Sequence, residues 1–112
     1  METKSERRSA RRVPVNLWVD EHTDDALYLQ RATNLSLGGL FLDGTLPHPP
    51  GTRIKLEVRL PGEEAPLCIE GEVVAADARE LGMGVQFVGL TPAERDLLAD
   101  FLDRAPFRTL AH

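Results

Sequence analysis

Residues 53–60 alternate charged and apolar side chains without a break, and this alternation constrains the fold more than any other feature of the chain. Every even-numbered position in the segment is Ile, Leu or Val, and every odd-numbered position is Arg, Lys or Glu. Successive side chains of a strand point to opposite faces of a sheet, so this segment predicts a strand with one buried face.

The same period of two returns on both sides of this segment. The apolar residues of the first predicted strand are Val13, Val15, Leu17 and Val19. Trp18 falls on the other face of that strand, where it either covers an apolar patch or lies near a ligand, and we favour packing. Further strands are predicted at about 26–33, where Leu27 and Leu29 share a face, and at 40–42, 67–76 and 83–88. Segments 21–25, 43–51 and 77–80 have the polar, Pro-rich or Gly-rich composition of turns and loops.

The period changes from two to that of a helix at Thr91. Thr91 and Glu94 have the spacing of a capping box, and Pro92 takes the first helical position. The apolar stripe that follows consists of Leu97, Leu98, Phe101 and Leu102. This stripe predicts a helix that covers one side of the strands, and we expect Pro106 to end it.

Six short strands and one terminal helix predict a fold that is mainly β-structure. The expected architecture is a small six-stranded antiparallel β-barrel with a C-terminal α-helix, because closure of the sheet removes exposed edges. We divide the chain into a flexible basic arm at residues 1–12, the barrel with its helix at 13–105, and a tail at 106–112.

The net charge of −5 is unevenly distributed along the chain. Residues 1–12 hold five basic and two acidic side chains, a net charge of +3, and the remainder holds eight basic and sixteen acidic side chains, a net charge of −8. A nucleic-acid-binding surface is broadly basic, so we expect no nucleic acid partner. A basic arm on an acidic body is better suited to gripping a small anion.

Other classes of function lack their sequence signals. No apolar run has the length of a membrane span, and the N-terminus lacks the apolar segment of a signal peptide, so we expect a cytoplasmic protein without membrane insertion. His22 lies near Asp24 and Asp25, but no further His or Cys follows at the spacing of a metal site. No nucleophile is paired with a base, so we expect neither a metal nor catalysis.

Residues 34–39 read Asn-Leu-Ser-Leu-Gly-Gly and place turn-forming residues between two apolar runs. Asn34 tolerates left-handed backbone angles, and Gly38 and Gly39 permit positive φ. The simpler interpretation of the segment is a hairpin corner. The alternative is that Asn34 and Ser36 offer polar groups to a ligand while Gly39 leaves room for its approach.

Arg8 and Arg12 form an Arg-x-x-x-Arg spacing just before the first predicted strand. Both guanidinium groups can close on one ligand, whether the chain there is extended or forms a helical turn. A guanidinium meets phosphate, or the O6/N7 edge of guanine, with two parallel hydrogen bonds, and it also stacks on flat rings. Arg7 and Arg11 have the same spacing, so the register of the motif is open.

With both motifs in this order on this strand pattern, the sequence resembles the PilZ domain family of bacterial cyclic di-GMP receptors. The family pattern is RxxxR followed further along the chain by (D/N)xSxxG. The resemblance extends from Glu6 to about Leu102, and it includes the strand at 13–15, the run at 82–87 and the closing helix. It implies that the barrel is a platform over which the arginine arm folds when the ligand binds.

By position, the resemblance implies cyclic di-GMP as the ligand, bound by Arg8, Arg12, Asn34, Ser36 and Gly39. The two arginines would grip the phosphates and a guanine. Asn34 and Ser36 would hydrogen-bond the base or its phosphate, and Gly39 would allow close approach.

The second family arginine usually abuts the first strand, as Arg12 abuts Val13, so we prefer the register of Arg8 and Arg12. Arg7 and Arg11 remain further candidate contacts. The expected function is a receptor or adaptor, not an enzyme, that passes the ligand signal to a downstream protein partner by ordering its arm. The alternative is an interaction module of the same fold that binds no nucleotide.

Overall fold

The computed structural model describes residues 12–77, 79 and 81–110, which form six strands followed by a helix. The strands are β1 (Val13–His22), β2 (Leu27–Leu35), β3 (Gly39–Asp43), β4 (Arg53–Val58), β5 (Leu67–Asp77) and β6 (Gly82–Val88), and the helix is α1 (Pro92–Leu110). Neighbouring strands are antiparallel and close into a barrel in the order β1-β2-β3-β6-β5-β4. The predicted six-stranded antiparallel barrel with a C-terminal helix is confirmed.

The apolar member of each alternating pair fills the barrel interior. On β4, Ile54, Leu56 and Val58 are buried, whereas Arg53 and Lys55 are exposed on the outer face. The other strands contribute in the same way, with fully buried side chains at Val19, Ala32, Leu35, Leu42, Val73 and Met83. Each fully buried Leu or Val stabilises the fold by about 1.5–3 kcal/mol relative to an exposed position.

Trp18, Leu27 and Leu29 lie on the outer face of β1 and β2, and we call them the outer apolar patch. Each is more than half exposed, at 53%, 62% and 63% respectively. Trp18 therefore packs only in part, because its cross-strand neighbour Arg31 is itself exposed. The alternation correctly placed Leu27 and Leu29 on one face, and that face points away from the core.

Strand β1 is longer than the sequence predicts, because it includes Glu21 and His22, the first two residues of the segment interpreted as a polar turn. Glu21 pairs with Tyr28 of β2 and with Leu56 of β4, so both neighbouring strands extend the ladder beyond residue 20. The prediction of a turn beginning at Glu21 is wrong: the turn begins at Thr23, whose N–H donates to the Ala26 carbonyl at 2.9 Å.

Glu21 is fully buried, and hydrogen bonds compensate for the burial of its carboxylate. Gln30 Nε2 donates to Glu21 Oε1 at 2.8 Å and to Thr45 Oγ1 at 2.9 Å. His48 Nε2 lies 2.6 Å from Glu21 Oε2. A buried carboxyl group is tolerated only when it is hydrogen-bonded or paired, so these contacts fasten the loop between β3 and β4 onto the barrel. His48 is thus an anchored residue, although its position among prolines predicts an ordinary loop residue.

A reciprocal capping box starts α1, as the sequence predicts. The Thr91 N–H donates to Glu94 Oε1 at 2.9 Å, and the Glu94 N–H donates to Thr91 Oγ1 at 3.2 Å. These bonds satisfy donors that a helix otherwise leaves unpaired at its first turn.

The apolar stripe of α1 is narrower than predicted, and the helix is longer. Leu98, Phe101 and Leu102 are buried in the core, whereas Leu97 is partly exposed, at 37%. The helix continues through Pro106, where the sequence predicts its end, so the missing N–H of one proline does not stop it. No helix in the described part of the chain is long and apolar enough to cross a membrane.

The contacts of Glu21 predict an unequal effect of removing two histidines. We expect His48→Ala to lower the free energy of unfolding by about 1–3 kcal/mol, because the buried carboxylate loses one of its two hydrogen-bonding side chains. His22→Ala is the matched control: His22 lies 3.6 Å from Glu57 at the surface, and such pairs contribute about 1 kcal/mol or less. Urea unfolding followed by circular dichroism measures both, and equal losses would contradict the role given to His48.

Candidate functional site

The predicted motif at residues 34–39 divides between a strand end and a tight turn. Asn34 belongs to β2, where it pairs with Pro14 of β1 on one side and with Phe41 of β3 on the other. The chain reverses only at residues 36–38, and β3 begins at Gly39. Asn34 is therefore a half-buried sheet residue beside the reversal, not a part of it.

Ser36 holds the turn together with its own hydroxyl. The Ser36 N–H donates to the Gly39 carbonyl at 2.9 Å, and the Gly38 N–H donates to Ser36 Oγ at 3.2 Å. The Phe87 N–H donates to the Gly38 carbonyl at 2.8 Å, which ties the turn to β6. The hairpin interpretation thus describes these residues correctly, and any ligand contact of Ser36 is additional to this structural role.

Gly39 is required by the fold itself. A Cβ at this position would collide with the Val85 carbonyl oxygen and would lie 3.1 Å from the Gln86 Cα, both on the backbone of β6. Backbone atoms of a central strand cannot move aside as a side chain can. The absence of a side chain at Gly39 is therefore explained by the β3–β6 pairing, before any ligand is considered.

A groove of about 760 Å³ and another of about 730 Å³ run over the outer surface of the barrel. The smaller one, which we call the turn groove, lies over β3, β6 and β5 beside the turn at residues 36–38. Its lining comprises Arg12, residues 36–41, Val74, Ala75, residues 84–86 and Arg95. Its volume is in the range of about 300–1,000 Å³ that is typical of small-molecule sites.

The turn groove brings together three of the residues that the sequence singles out. Val13 pairs with Leu35, so Arg12, which precedes β1, comes beside Ser36, which follows β2. Arg12, Ser36 and Gly39 line the groove, and Asn34 lies in the sheet next to it without being part of the lining. The other predicted arginines, Arg7, Arg8 and Arg11, lie outside the described residues.

The turn groove has fewer acidic lining residues than the groove over β4. None of its described lining residues is Asp or Glu, and it carries two arginines. The larger groove, over β4, carries Arg53 and Lys55 but also Asp24, Glu57 and Glu70. On a body with a net charge of −8, a groove without carboxylates is where an anion meets the least repulsion.

Arg12 and Arg95 make no ion pair with any residue that the structure describes, in contrast to most other described arginines. Arg31 pairs with Asp43, Arg59 with Asp20, and Arg104 with Asp100. The guanidinium groups of the turn groove are therefore not neutralised by any described carboxylate.

Sequence reasoning missed Gln86, Arg95, Phe41 and Val74. Gln86 faces outward between buried Val85 and Phe87, and only the pairing of β6 with β3 brings it opposite Gly39. Arg95 had a local signal, because neither the residue four before it nor the one four after it is acidic. For Phe41 and Val74, no local pattern could have indicated the groove.

The comparison with known families decides how these features are classified. The family profile of the PilZ domain matches residues 6–104 of the sequence. The chain belongs to the PilZ domain family. The predicted family membership is thus confirmed, and PilZ domains are in general receptor or adaptor modules and not enzymes. A comparison with curated protein sequences gives no significant match.

Solved PilZ structures have the same fold as this PilZ domain. The PilZ domain of YcgR from Escherichia coli, solved with c-di-GMP, has a TM-score of 0.68 at 16% identity, and the match covers 90% of this chain and 95% of that chain. The PilZ domain of CeSA from a cellulose-synthesizing bacterium has a TM-score of 0.64 at 17% identity, covering 92% and 100%.

A longer protein also contains a similar fold. The inhibitor of motility MotI/DgrA from Bacillus subtilis has a TM-score of 0.68 at 22% identity, and the match covers 87% of this chain. This PilZ domain corresponds to half the length of that chain. At such identities the similarity shows the fold alone.

The collision at Gly39 predicts a loss of stability without any ligand. We expect Gly39→Ala to lower the free energy of unfolding by about 1–3 kcal/mol or more, because overpacking against backbone cannot relax easily. Gly38→Ala is the matched control, since its Cβ would meet only Ser36 Oγ at an ordinary 3.9 Å. Thermal and urea unfolding of both variants without nucleotide measure the difference. A Gly39→Ala protein as stable as the wild type would contradict this account.

Proposed function

We propose that this PilZ domain is a receptor or adaptor for cyclic di-GMP in the bacterial cytoplasm. The observation that carries the proposal is the turn groove, in which Arg12 and Ser36 from the two sequence motifs lie together on a surface without carboxylates. That a PilZ domain of the same fold was solved with c-di-GMP supports the choice of ligand.

The chemistry of the groove suits this ligand. Cyclic di-GMP presents two phosphates and two guanines, so it offers anionic oxygens, acceptor edges and flat rings. An arginine can bind either a phosphate or the O6/N7 edge of guanine with two parallel hydrogen bonds. Phe41 and Val74 add apolar surface to the groove, against which a purine ring can be partly withdrawn from water.

The residues that the structure describes supply one half of the proposed site, and the basic arm supplies the other. Arg12 directly precedes β1, whose first residue, Val13, pairs with Leu35, so the sheet brings Arg12 close to Ser36. In the proposal, Arg8, which belongs to residues 1–11, closes over the ligand. Arg7 and Arg11 are the binding arginines in the alternative register of the motif. Ordering of this arm on the barrel converts ligand binding into a change of shape that a partner protein can read.

The two motifs contribute differently in this proposal. Asn34 lies outside the groove lining, so it acts on the ligand from the edge of the site or supports Pro14 and Phe41 in the sheet. Gly39 contributes indirectly, because it allows the close approach of β3 and β6 that forms the floor of the turn groove. The direct contacts are therefore assigned to the arginines and to Ser36. No step of bond making or breaking is assigned to any residue.

Calorimetric titration with cyclic di-GMP tests this proposal. We expect saturable binding by the wild type and a loss of about ten- to a hundredfold in affinity for Arg8→Ala and for Arg12→Ala, because each removes charge-assisted hydrogen bonds. Arg59→Ala is the matched control: it removes the same charge outside the turn groove, where Arg59, just after β4, pairs with Asp20 of β1. Its affinity should equal that of the wild type.

The same titration separates the two registers. Affinity lost in Arg7→Ala and Arg11→Ala, but kept in Arg8→Ala, would retain the function and shift the arm by one residue. A folded wild type that shows neither heat of binding nor thermal stabilisation with the nucleotide would overturn the receptor proposal.

The outer apolar patch favours a second candidate, an interaction module that works without nucleotide. Trp18, Leu27 and Leu29 are exposed on β1 and β2, away from the turn groove on β3, β5 and β6. Exposed apolar side chains that lie together often mark a surface for a protein partner. In the receptor proposal the same patch is a candidate docking face for the downstream partner.

The variant Leu29→Asp, which places a negative charge in the outer apolar patch, distinguishes these roles. It should leave the affinity for cyclic di-GMP unchanged, because Leu29 is outside the turn groove. Proteins retained by the immobilised wild type and lost with Leu29→Asp would assign partner binding to the patch. Retention that is independent of the nucleotide would favour the second candidate, and retention that requires it would favour the receptor.

A further inference from the structure

Arg95 is an arginine of the turn groove that belongs to neither sequence motif. It lies in the first turn of α1, and it lines the groove together with Arg12 and Ser36. We infer that Arg95 is an additional ligand-binding residue, which binds a phosphate of the nucleotide from the helix side of the groove. This inference rests on the proposed function, since it names a further contact of the same site.

The local sequence leaves the Arg95 guanidinium without a partner on its own helix. Side chains three and four residues apart are neighbours on a helix, and those positions around Arg95 hold Thr91, Pro92, Leu98 and Ala99. None of them is acidic. Further along the same helix, Arg104 lies 3.3 Å from Asp100, four residues before it. The same residue type is thus paired on one turn and unpaired on the turn that faces the groove.

Of the two carboxylates adjacent to Arg95 in the sequence, the one on Glu94 is also engaged. Glu94 precedes Arg95, but its carboxylate accepts a hydrogen bond from the Thr91 N–H at 2.9 Å. That bond keeps the negative charge at the helix N-terminus, where it is favourable, and directs it to the backbone. Asp96 follows Arg95, but side chains one residue apart do not face each other on a helix, and Arg95 makes no ion pair with any described residue.

The backbone of Arg95 is held firmly relative to the rest of the site. The capping box fixes the start of α1, and the Arg95 N–H donates to the Thr91 carbonyl at 2.9 Å. One turn later, Leu98 is fully buried in the barrel core. A guanidinium on so fixed a position loses little conformational freedom apart from its own side-chain rotamers when it binds.

The two described arginines enter the groove from different elements. Arg12 precedes β1, and Arg95 belongs to the helix after β6. A ligand with two phosphates can engage both at once, which would link the N-terminal arm and the C-terminal helix through the nucleotide. This link would give the helix a direct response to ligand binding.

Titration of Arg95 variants with cyclic di-GMP tests the inference. Arg95→Gln removes the charge, and Arg95→Lys keeps it without the planar fork; Gln and Lys are both good helix formers, so α1 should persist. We expect affinity to fall about ten- to a hundredfold in Arg95→Gln and by less in Arg95→Lys. Arg104→Gln is the matched control on the same helix, and it should bind as the wild type does. Circular dichroism melting without nucleotide should give the same transition for the wild type and both Arg95 variants.

The outcomes separate this inference from the proposed function. Binding by the wild type that Arg95→Gln retains in full overturns the inference and leaves the receptor proposal intact. An equal loss in Arg95→Gln and Arg104→Gln also overturns it, since a general effect of charge would then explain both. No binding by the folded wild type overturns the proposed function, and the inference with it.

Discussion

The pairing of β3 with β6 is the contact on which the rest of the structure depends. It joins strands that are distant in the sequence, closes the barrel, and forms the floor of the turn groove. The pairing is possible at this separation only because Gly39 has no side chain to meet the backbone at Val85. Phe41, two pairs further along, packs its ring where a Cβ at Gly82 would stand, so the same two strands interlock at a second point. Fold and groove therefore share one set of close contacts.

The sequence predicted the elements of this fold well, because alternation and capping are local signals. The ladder of β4 and the capping box of α1 follow directly from the order of residues in each segment. The wrongly predicted turn at Glu21 has a non-local physical cause. Glu21 looks like a turn residue until Gln30 and His48, nine and 27 residues away, supply the hydrogen bonds that allow its burial. No window along the chain contains that information, because the barrel has to close before these side chains meet.

The candidate site, too, could be predicted only in part, because its motifs are local but their roles depend on the fold. Its two motifs could be read in the sequence, and the structure brings Arg12 beside Ser36 through the β1–β2 register. Gly39 and Ser36, however, each have a structural role that needs no ligand, since one admits β6 and the other closes the turn. A chain could keep both residues for its fold alone. The arginines are more informative about binding, because Arg12 and Arg95 make no ion pair within the described part of the chain.

The lack of ion pairs at Arg12 and Arg95 also explains how a body with a net negative charge can be compatible with an anionic ligand. Charges in physiological salt are screened over about 8 Å, so a bound nucleotide responds to the groove around it more than to the net charge of −8. Some acidic residues of the body are neutralised in pairs, such as Asp20 with Arg59 and Glu72 with Arg53. Arginines that remain unpaired beside a surface without carboxylates form a local positive region on this background. The local charge of the turn groove thus depends on which arginines form ion pairs in the folded chain. The fold, and not the composition, determines these pairs.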